Sequence, residues 1–297
     1  MTKKVLLTGA TGFLGSHIYN HLKSQFQIHT LGRSASNNTI CDISESIPKI
    51  TTHYQYVIHS AGKAHTIPKT RKEKEAFKKV NFIGVKNICK SLKTNIPNNF
   101  IFISTIAVYG KEKGTNITEN TPLNGTTPYA VSKIKAEAYL QEWAKKNKVN
   151  LVILRLPLVA GKNPKGNLAT MINGIKKGYY FNLKKSKALK SIVLAEDVAK
   201  LIPQLENKTG IYNLAGEKDY SFKEIAAIIA KQLNNKKVME LPYILVKFVA
   251  YFGDVFSIFP INSRTLEKIT NPLTVSAKKA ITELQWKPSN LEEKFKL

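Results

Sequence analysis

The chain opens with the run VLLTGATGFLGSH, in which an apolar stretch turns through Gly9, Gly12 and Gly15 into a helix-like pattern. A glycine at the strand end permits a tight reversal. A second lets the backbone approach a bound group, and a third lets the helix pack closely on the sheet. The helix N-terminus then faces that group with free N–H groups and the positive end of its dipole. The turn from Thr8 to Gly15, with Thr11, Phe13 and Leu14 among its glycines, therefore suits a dinucleotide's diphosphate.

Four further apolar runs follow, FQIHTLG, YQYVIHS, NFIFIST and NLVILRL, with helical patterns in several intervals. Alternation of this kind predicts an α/β fold, a Rossmann-like doubly wound parallel sheet. One predicted helix, around residues 70–94, carries Phe77, Val80, Ile83, Val85 and Ile88, and another, around 127–147, carries Tyr129, Ile134, Ala138 and Trp143. After LVILRLPLVAG the alternation weakens. Residues 1–160 are expected to form the dinucleotide-binding domain, with return segments near 190–235; residues 161–189 and 236–297 are expected to form a smaller C-terminal substrate lobe. Ser221 and Glu224 predict a capping box at the start of one returning helix.

Tyr129 and Lys133 lie four residues apart in PYAVSKIKAE, so they share a helix face. Ser104-Thr105 ends the run FIFIST, at the carboxyl end of a predicted strand. An ammonium beside a phenol stabilises the phenolate and lowers its pKa from about 10, which suits the pair to proton transfer. Glycine turn, strand-end hydroxyl and Tyr-x-x-x-Lys, in that order, resemble the extended short-chain dehydrogenase/reductase family, which contains nucleotide-sugar epimerases, dehydratases and reductases. The resemblance covers nearly the whole chain.

The resemblance implies Tyr129 as proton donor, Thr105 as the group holding the substrate oxygen, and Lys133 as a residue that biases the phenol and holds the nicotinamide ribose. It implies cofactor contacts at Ala61, Gly62 and Lys63, with His65 nearby; Asn81 would tie its helix to the active-site strand. Gly32-Arg33-Ser34 ends the second strand without a carboxylate and supplies a guanidinium, which favours NADP(H) over NAD(H). Asp42 matches the family's aspartate near the adenine ring, and it also reads as a turn residue. Asn167-Leu168 and Lys190 match elements used against the substrate diphosphate; Asn167 also reads as a helix N-cap, and Asp197 as structural.

Nucleotide-sugar dehydratases of this family resemble Thr-Asp-Glu at the strand end, whereas this chain has Thr105-Ile106-Ala107, and its Arg155-Leu156-Pro157-Leu158 lacks the asparagine of galactose-type epimerases. The implied function is reduction of a 4-keto nucleotide sugar, such as a UDP-linked hexose, for surface polysaccharide. A 4-epimerase holding NAD, and a non-catalytic dinucleotide sensor or nucleic-acid-binding relative, are the alternatives.

The 297 residues include 46 basic and 20 acidic side chains, a net charge of +26 spread along the chain. Such a surface attracts anions of many kinds. No nucleic-acid partner is expected; a homodimer is compatible with the sequence. Cys41 and Cys89 fit a reducing cytoplasm, with Cys89 on an apolar helix face. The first strand follows MTKK directly, so no secretion signal is expected. His65 has no ligand partner at useful spacing, and no metal site is expected. Leu241 to Pro260, the longest apolar stretch, is broken by Lys247 and Asp254. It is read as a helix buried against the sheet or a partner subunit, with peripheral membrane contact as the alternative.

Overall fold

Val5, Leu6 and Leu7 are buried on both faces of their strand, as a strand between two helical layers requires. The structure, a computed structural model, describes residues 2–64, 66–184, 186, 188–255 and 262–297. His65 and residues 256–261 of the apolar stretch lie outside the described residues. The apolar runs form β1 (Lys4–Thr8), β2 (Gln27–Gly32), β4 (Tyr56–His59), β5 (Asn99–Thr105) and β6 (Asn150–Leu156); β3 (Thr39–Ile40) and β7 (Gly210–Asn213) complete a seven-stranded parallel sheet. Its order is β7-β6-β5-β4-β1-β2-β3. The chain steps outward from β1 to β3 and then crosses back to β4. The reversal therefore opens a crevice at the carboxyl ends of β1 and β4, where α/β sheets bind ligands.

The helices, in chain order, are α1 (Phe13–Leu22), α2 (Arg71–Lys78), α3 (Gly84–Ser91), α4 (Pro128–Asn147), α5 (Gly166–Lys177), α6 (Ala195–Leu201), α7 (Phe222–Gln232), α8 (Tyr243–Val255), α9 (Ser263–Thr270) and α10 (Lys278–Leu284). Alternate strand residues divide the core. Leu7, Ile58 and Ile101 meet Ile18 and Leu22 of α1 and Val198 of α6, whereas Val57, Phe100 and Phe102 meet Val85, Ile88 and Cys89 of α3 and Leu140 of α4. Burial pushes the Cys89 thiol up in pKa, which leaves it an unreactive core group.

The segment predicted as one helix near 70–94 is interrupted by a π-helical turn at Lys79–Ile83, which turns Asn81 into the interior. On α4 the buried stripe is Ala130, Lys133, Ala136, Leu140 and Ala144, and Ala138 faces solvent. The boundary expected at residue 236 does not separate the layers: Ala280, Leu284 and Trp286 return to the core beneath the main sheet. They share that core with Tyr212 and Leu214, and Trp286 Nε1 donates to Ala215 O at 2.8 Å.

Leu168, Met171 and Ile175 of α5 pack against Ile225 and Ile229 of α7. The capping box of α7 is formed: Ser221 Oγ accepts from Glu224 N at 3.2 Å, and Glu224 Oε2 accepts from Ser221 N at 2.7 Å. A second sheet joins Tyr220–Ser221, Leu189–Lys190, Leu273–Val275 and Gly114–Ile117. Helix α8 is not buried against the main sheet. Val246 and Ala250 pack with Leu183 and Leu266, and Ile244, Leu245, Phe248, Val249, Tyr251 and Phe252 face outward.

Candidate active site

Gly9 has φ +75°, and a Cβ there would lie 2.6 Å from Ala61 N. A Cβ on Gly15 would lie 2.0 Å from Gly9 O. Only glycine lets the β1 turn, the start of α1 and the Ala61-Gly62 backbone converge. Gly12 is the N-cap of α1 and supplies no side-chain bond, so the first-turn N–H groups beside Phe13 and Leu14 are presented at the crevice with Thr11 exposed next to them. This cradle of backbone donors and hydrogens in place of side chains fits the diphosphate of a dinucleotide.

At the carboxyl end of β4, Thr8 Oγ1 accepts from Ala61 N at 3.3 Å and lies 3.0 Å from His59 Nδ1. Asn81 grips the next loop: its Oδ1 accepts from Lys63 N at 2.7 Å, and its Nδ2 donates to Lys63 O at 3.0 Å and Ser132 Oγ at 2.9 Å. Asn81 thus joins the loop after β4 to α4, rather than its own helix to β5. Lys63 Nζ lies 5.5 Å from the Phe77 ring centre.

Thr127 Oγ1 accepts from Ala130 N at 3.2 Å and, with Pro128 beside it, starts α4 so that Tyr129 falls in its first turn. Burial raises the pKa of the Tyr129 phenol to about 12, and the neighbouring Thr105 side chain opposes the rise. One turn on, Lys133 Nζ donates to Ile103 O at 2.7 Å and lies 4.4 Å from the Phe102 ring centre. Burial brings its pKa down to about 8, against the pull of Glu137. The expected lowering of the phenol by the ammonium is not what this geometry produces. A strand carbonyl holds the Lys133 cation, and desolvation governs both groups. A Cβ on Gly62 would lie 3.6 Å from Lys133 Nζ, so the glycine cradle and the Tyr-Lys helix share one crevice.

Three groups under the site carry signals overlooked in the sequence. Glu137, one turn beyond Lys133, accepts from Ser104 Oγ and from Arg155, whose Nη2 lies 2.6 Å away. Both members of that ion pair are almost completely buried. Arg155 Nη1 continues to Tyr109 Oη at 3.1 Å, and Tyr109 donates to Asn213 Oδ1 at 2.7 Å. Arg155 in the apolar strand NLVILRL, and Glu137 on a buried helix stripe, each signal a buried partner. His59 is the third: it is fully buried, with its pKa brought down to about 3 by burial and by Lys133, and its Nε2 has no partner among the described residues.

Arg33 is exposed directly after β2, at the same sheet edge as the glycine turn. Asp42 Oδ1 accepts from Ser44 N at 2.9 Å and Ser44 Oγ at 2.7 Å, the geometry of a turn aspartate, and its carboxyl is held below the usual range first by Ser44 and more weakly by Arg33. In the lobe, Asn167 is exposed within the first turn of α5, whose N-cap is Lys165, so Asn167 does not cap it. Leu168 is buried in the lobe core, which leaves only its backbone facing outward chemistry. Lys190 Nζ donates to Asn271 O at 2.9 Å, and burial lowers its pKa to about 8. Asp197 caps the chain near its end, accepting from Ser289 N at 2.6 Å and Ser289 Oγ at 2.8 Å.

Among known proteins, the N-acetyl-alpha-D-glucosaminyl-diphospho-ditrans,octacis-undecaprenol 4-epimerase of Escherichia coli O157:H7 is 27% identical, over 86% of this chain and 81% of its own length. The UDP-glucose 4-epimerase of Vibrio cholerae is 29% identical, over 100% of this chain and 94% of its own. The solved structure of UDP-glucuronic acid 4-epimerase from Bacillus cereus with NAD shares the fold at a TM-score of 0.75 and 18% identity, covering 98% of this chain and 95% of that one. RMD from Pseudomonas aeruginosa, complexed with NADPH, shares it at 0.74 and 18% identity, covering 99% and 96%. The family model for the NAD dependent epimerase/dehydratase family matches residues 5–215, which hold the glycine turn, Thr105, Tyr129 and Lys133, and this chain is an enzyme of that family.

Proposed function

We propose that this enzyme carries out oxidation and reduction at C4 of a nucleotide-activated sugar. The observation that carries the reading is the Tyr129 phenol under the influence of the Thr105 side chain, one helical turn from buried Lys133, with Ile106 and Ala107, which cannot move protons, following Thr105. Elimination of a second hydroxyl needs further acid–base groups; chemistry at a single carbon does not. A bound nicotinamide would supply or accept the hydride. Gly9, Thr11, Gly12, Phe13, Leu14, Gly15, Ala61, Gly62 and Lys63 would hold the dinucleotide, with Asp42 near its adenine. Thr105 orients the substrate oxygen and Tyr129 moves the proton at that oxygen. Lys133 keeps a positive charge at the floor of the cleft.

The substrate diphosphate is assigned to the start of α5, through Asn167 and the Leu168 amide, and to Lys190, whose depressed pKa an incoming anion would restore. Residues 161–189 and the first part of 236–297 would form the substrate lobe. The reading covers sugars linked through a diphosphate either to a nucleoside, as in the Vibrio relative, or to a polyprenyl chain, as in the Escherichia relative. Both cysteines are free, in keeping with a cytoplasmic enzyme of surface-polysaccharide synthesis.

Two net reactions use this site. Exposed Arg33, with no carboxylate at the end of β2, favours NADPH and reduction of a 4-keto sugar. Similarity to 4-epimerases over most of their length favours epimerisation with retained NAD. The intact Thr105, Tyr129 and Lys133 cluster argues against a non-catalytic sensor. Identification of the nucleotide that copurifies, followed by assay of UDP-hexoses and their 4-keto forms, separates them. Retained NAD with interconversion of C4 epimers identifies the epimerase; stoichiometric NADPH consumption with a 4-keto sugar identifies the reductase. Inactivity with both substrate groups would overturn the reading.

A further inference from the structure

Helix α8 presents its apolar side chains to solvent. Val246 and Ala250 mark its narrow buried edge, while Ile244 is 76%, Leu245 59%, Phe248 69% and Tyr251 68% exposed. At 3.6 residues per turn these four side chains occupy the side opposite the buried edge. The Phe248 ring centre lies 5.6 Å from that of Phe252, which lies 6.1 Å from that of Tyr251, so the face is a continuous aromatic ledge. An exposed apolar surface of this kind marks an interaction site.

Charge selects the occupant. The chain carries a net +26, so two copies brought face to face repel each other, whereas an anionic surface attracts either one. Lys247 is exposed on the flank of α8 itself. Exposed Lys184 lies at the helix approach, its N donating to Leu241 O at 2.9 Å. Nearby acids are already engaged: Asp254 Oδ1 accepts from Ser263 N at 3.0 Å, and Glu240 is paired with Lys223. On α9, Lys268 Nζ lies 4.0 Å from Glu112 Oε2.

We propose that the outer face of α8 docks on an anionic phospholipid bilayer, with Ile244, Leu245, Phe248 and Tyr251 entering the headgroup boundary and lysines meeting the lipid phosphates. The helix lies on the surface. No helix among the described residues is long and apolar enough to cross a membrane. The proposal stands on surface geometry and charge, and it holds whichever sugar the active site takes.

The test is cosedimentation of the full chain with vesicles of phosphatidylglycerol and phosphatidylcholine in equal parts, and with phosphatidylcholine alone, at low and physiological salt. Binding to the anionic vesicles that persists in part at physiological salt is expected. The double variant Ile244→Ser/Phe248→Ser should lose that binding by about ten-fold or more, with melting temperature and dinucleotide affinity unchanged. Lys247→Glu, which leaves the apolar ledge intact, should weaken binding to anionic vesicles alone. The proposal is overturned by absence of binding, by binding that the double variant retains in full, or by binding that salt abolishes entirely. It is also overturned by a stable dimer, broken by the double variant, that does not bind vesicles; this assigns the face to a second copy.

Discussion

At the scale of single residues, Tyr129 and Lys133 are set by desolvation, opposed by Thr105 at the phenol and by Glu137 at the amine. Tyr129→Phe deletes the proton donor and little contact surface, so turnover should fall by ~10²-fold or more while dinucleotide affinity is retained. Steady-state kinetics beside a nucleotide titration checks this, and full activity would remove Tyr129 from the mechanism. Arg33 belongs to cofactor choice. Arg33→Ala should weaken NADPH by about 1.5–3 kcal/mol, the range of a charge-assisted hydrogen bond, and leave NADH nearly unchanged; equal losses for both by calorimetry would make it a structural arginine. Glu137→Gln strands the Arg155 guanidinium in the core, and removal of one member of a buried pair costs about 3–5 kcal/mol. Denaturant unfolding measures it, and a loss below about 1 kcal/mol would show that Tyr109 Oη and the Glu119 carbonyl suffice to hold Arg155.

At the scale of elements, the glycine turn and α4 are the parts most directly legible from residues. Strand, turn and helix periods are local, and the glycines mark where Cβ atoms are excluded. Gly15→Ala places a methyl against Gly9 O, a contact of 2.0 Å that only movement of α1 can relieve. A loss of about 1–3 kcal/mol is expected from overpacking, together with weaker dinucleotide binding; a variant with unchanged melting temperature and affinity would show that α1 shifts freely. The π turn at Lys79–Ile83 was not legible. Within it Asn81 reaches both backbone groups of Lys63 and the hydroxyl of Ser132, contacts made with residues 18 and 51 positions away in the chain. That α8 does not pack on the main sheet was not legible for a related reason: apolar spacing identifies a face, and only the packed structure shows which way it points.

At the scale of the whole molecule, depressed amines and elevated phenols shape stability against pH. Lys133 and Lys190 titrate near 8 when folded, against 10.5 ordinarily. Between those values the unfolded chain binds more protons, so stability should rise with pH across that window. Tyr129, raised to about 12 from 10.0, acts oppositely above pH 10, as do the buried phenols of Tyr56 and Tyr212. Chemical unfolding from pH 8 to 10 should show the rise, with a smaller slope in Lys190→Met. A flat profile in both proteins would show that these amines keep ordinary values.

The sequence by itself determined the parallel α/β fold, the glycine turn and the shared helix face of Tyr129 and Lys133, because strand period, glycine placement and helical spacing are properties of neighbouring residues. The tertiary structure alone decided that Ser104, Glu137 and Arg155 form a buried network and that Lys133 is held by Ile103. It also decided that Ala280, Leu284 and Trp286 return to the main core. Those contacts depend on which strands become neighbours, and on how far each charge is removed from water, neither of which is encoded in any short stretch of chain.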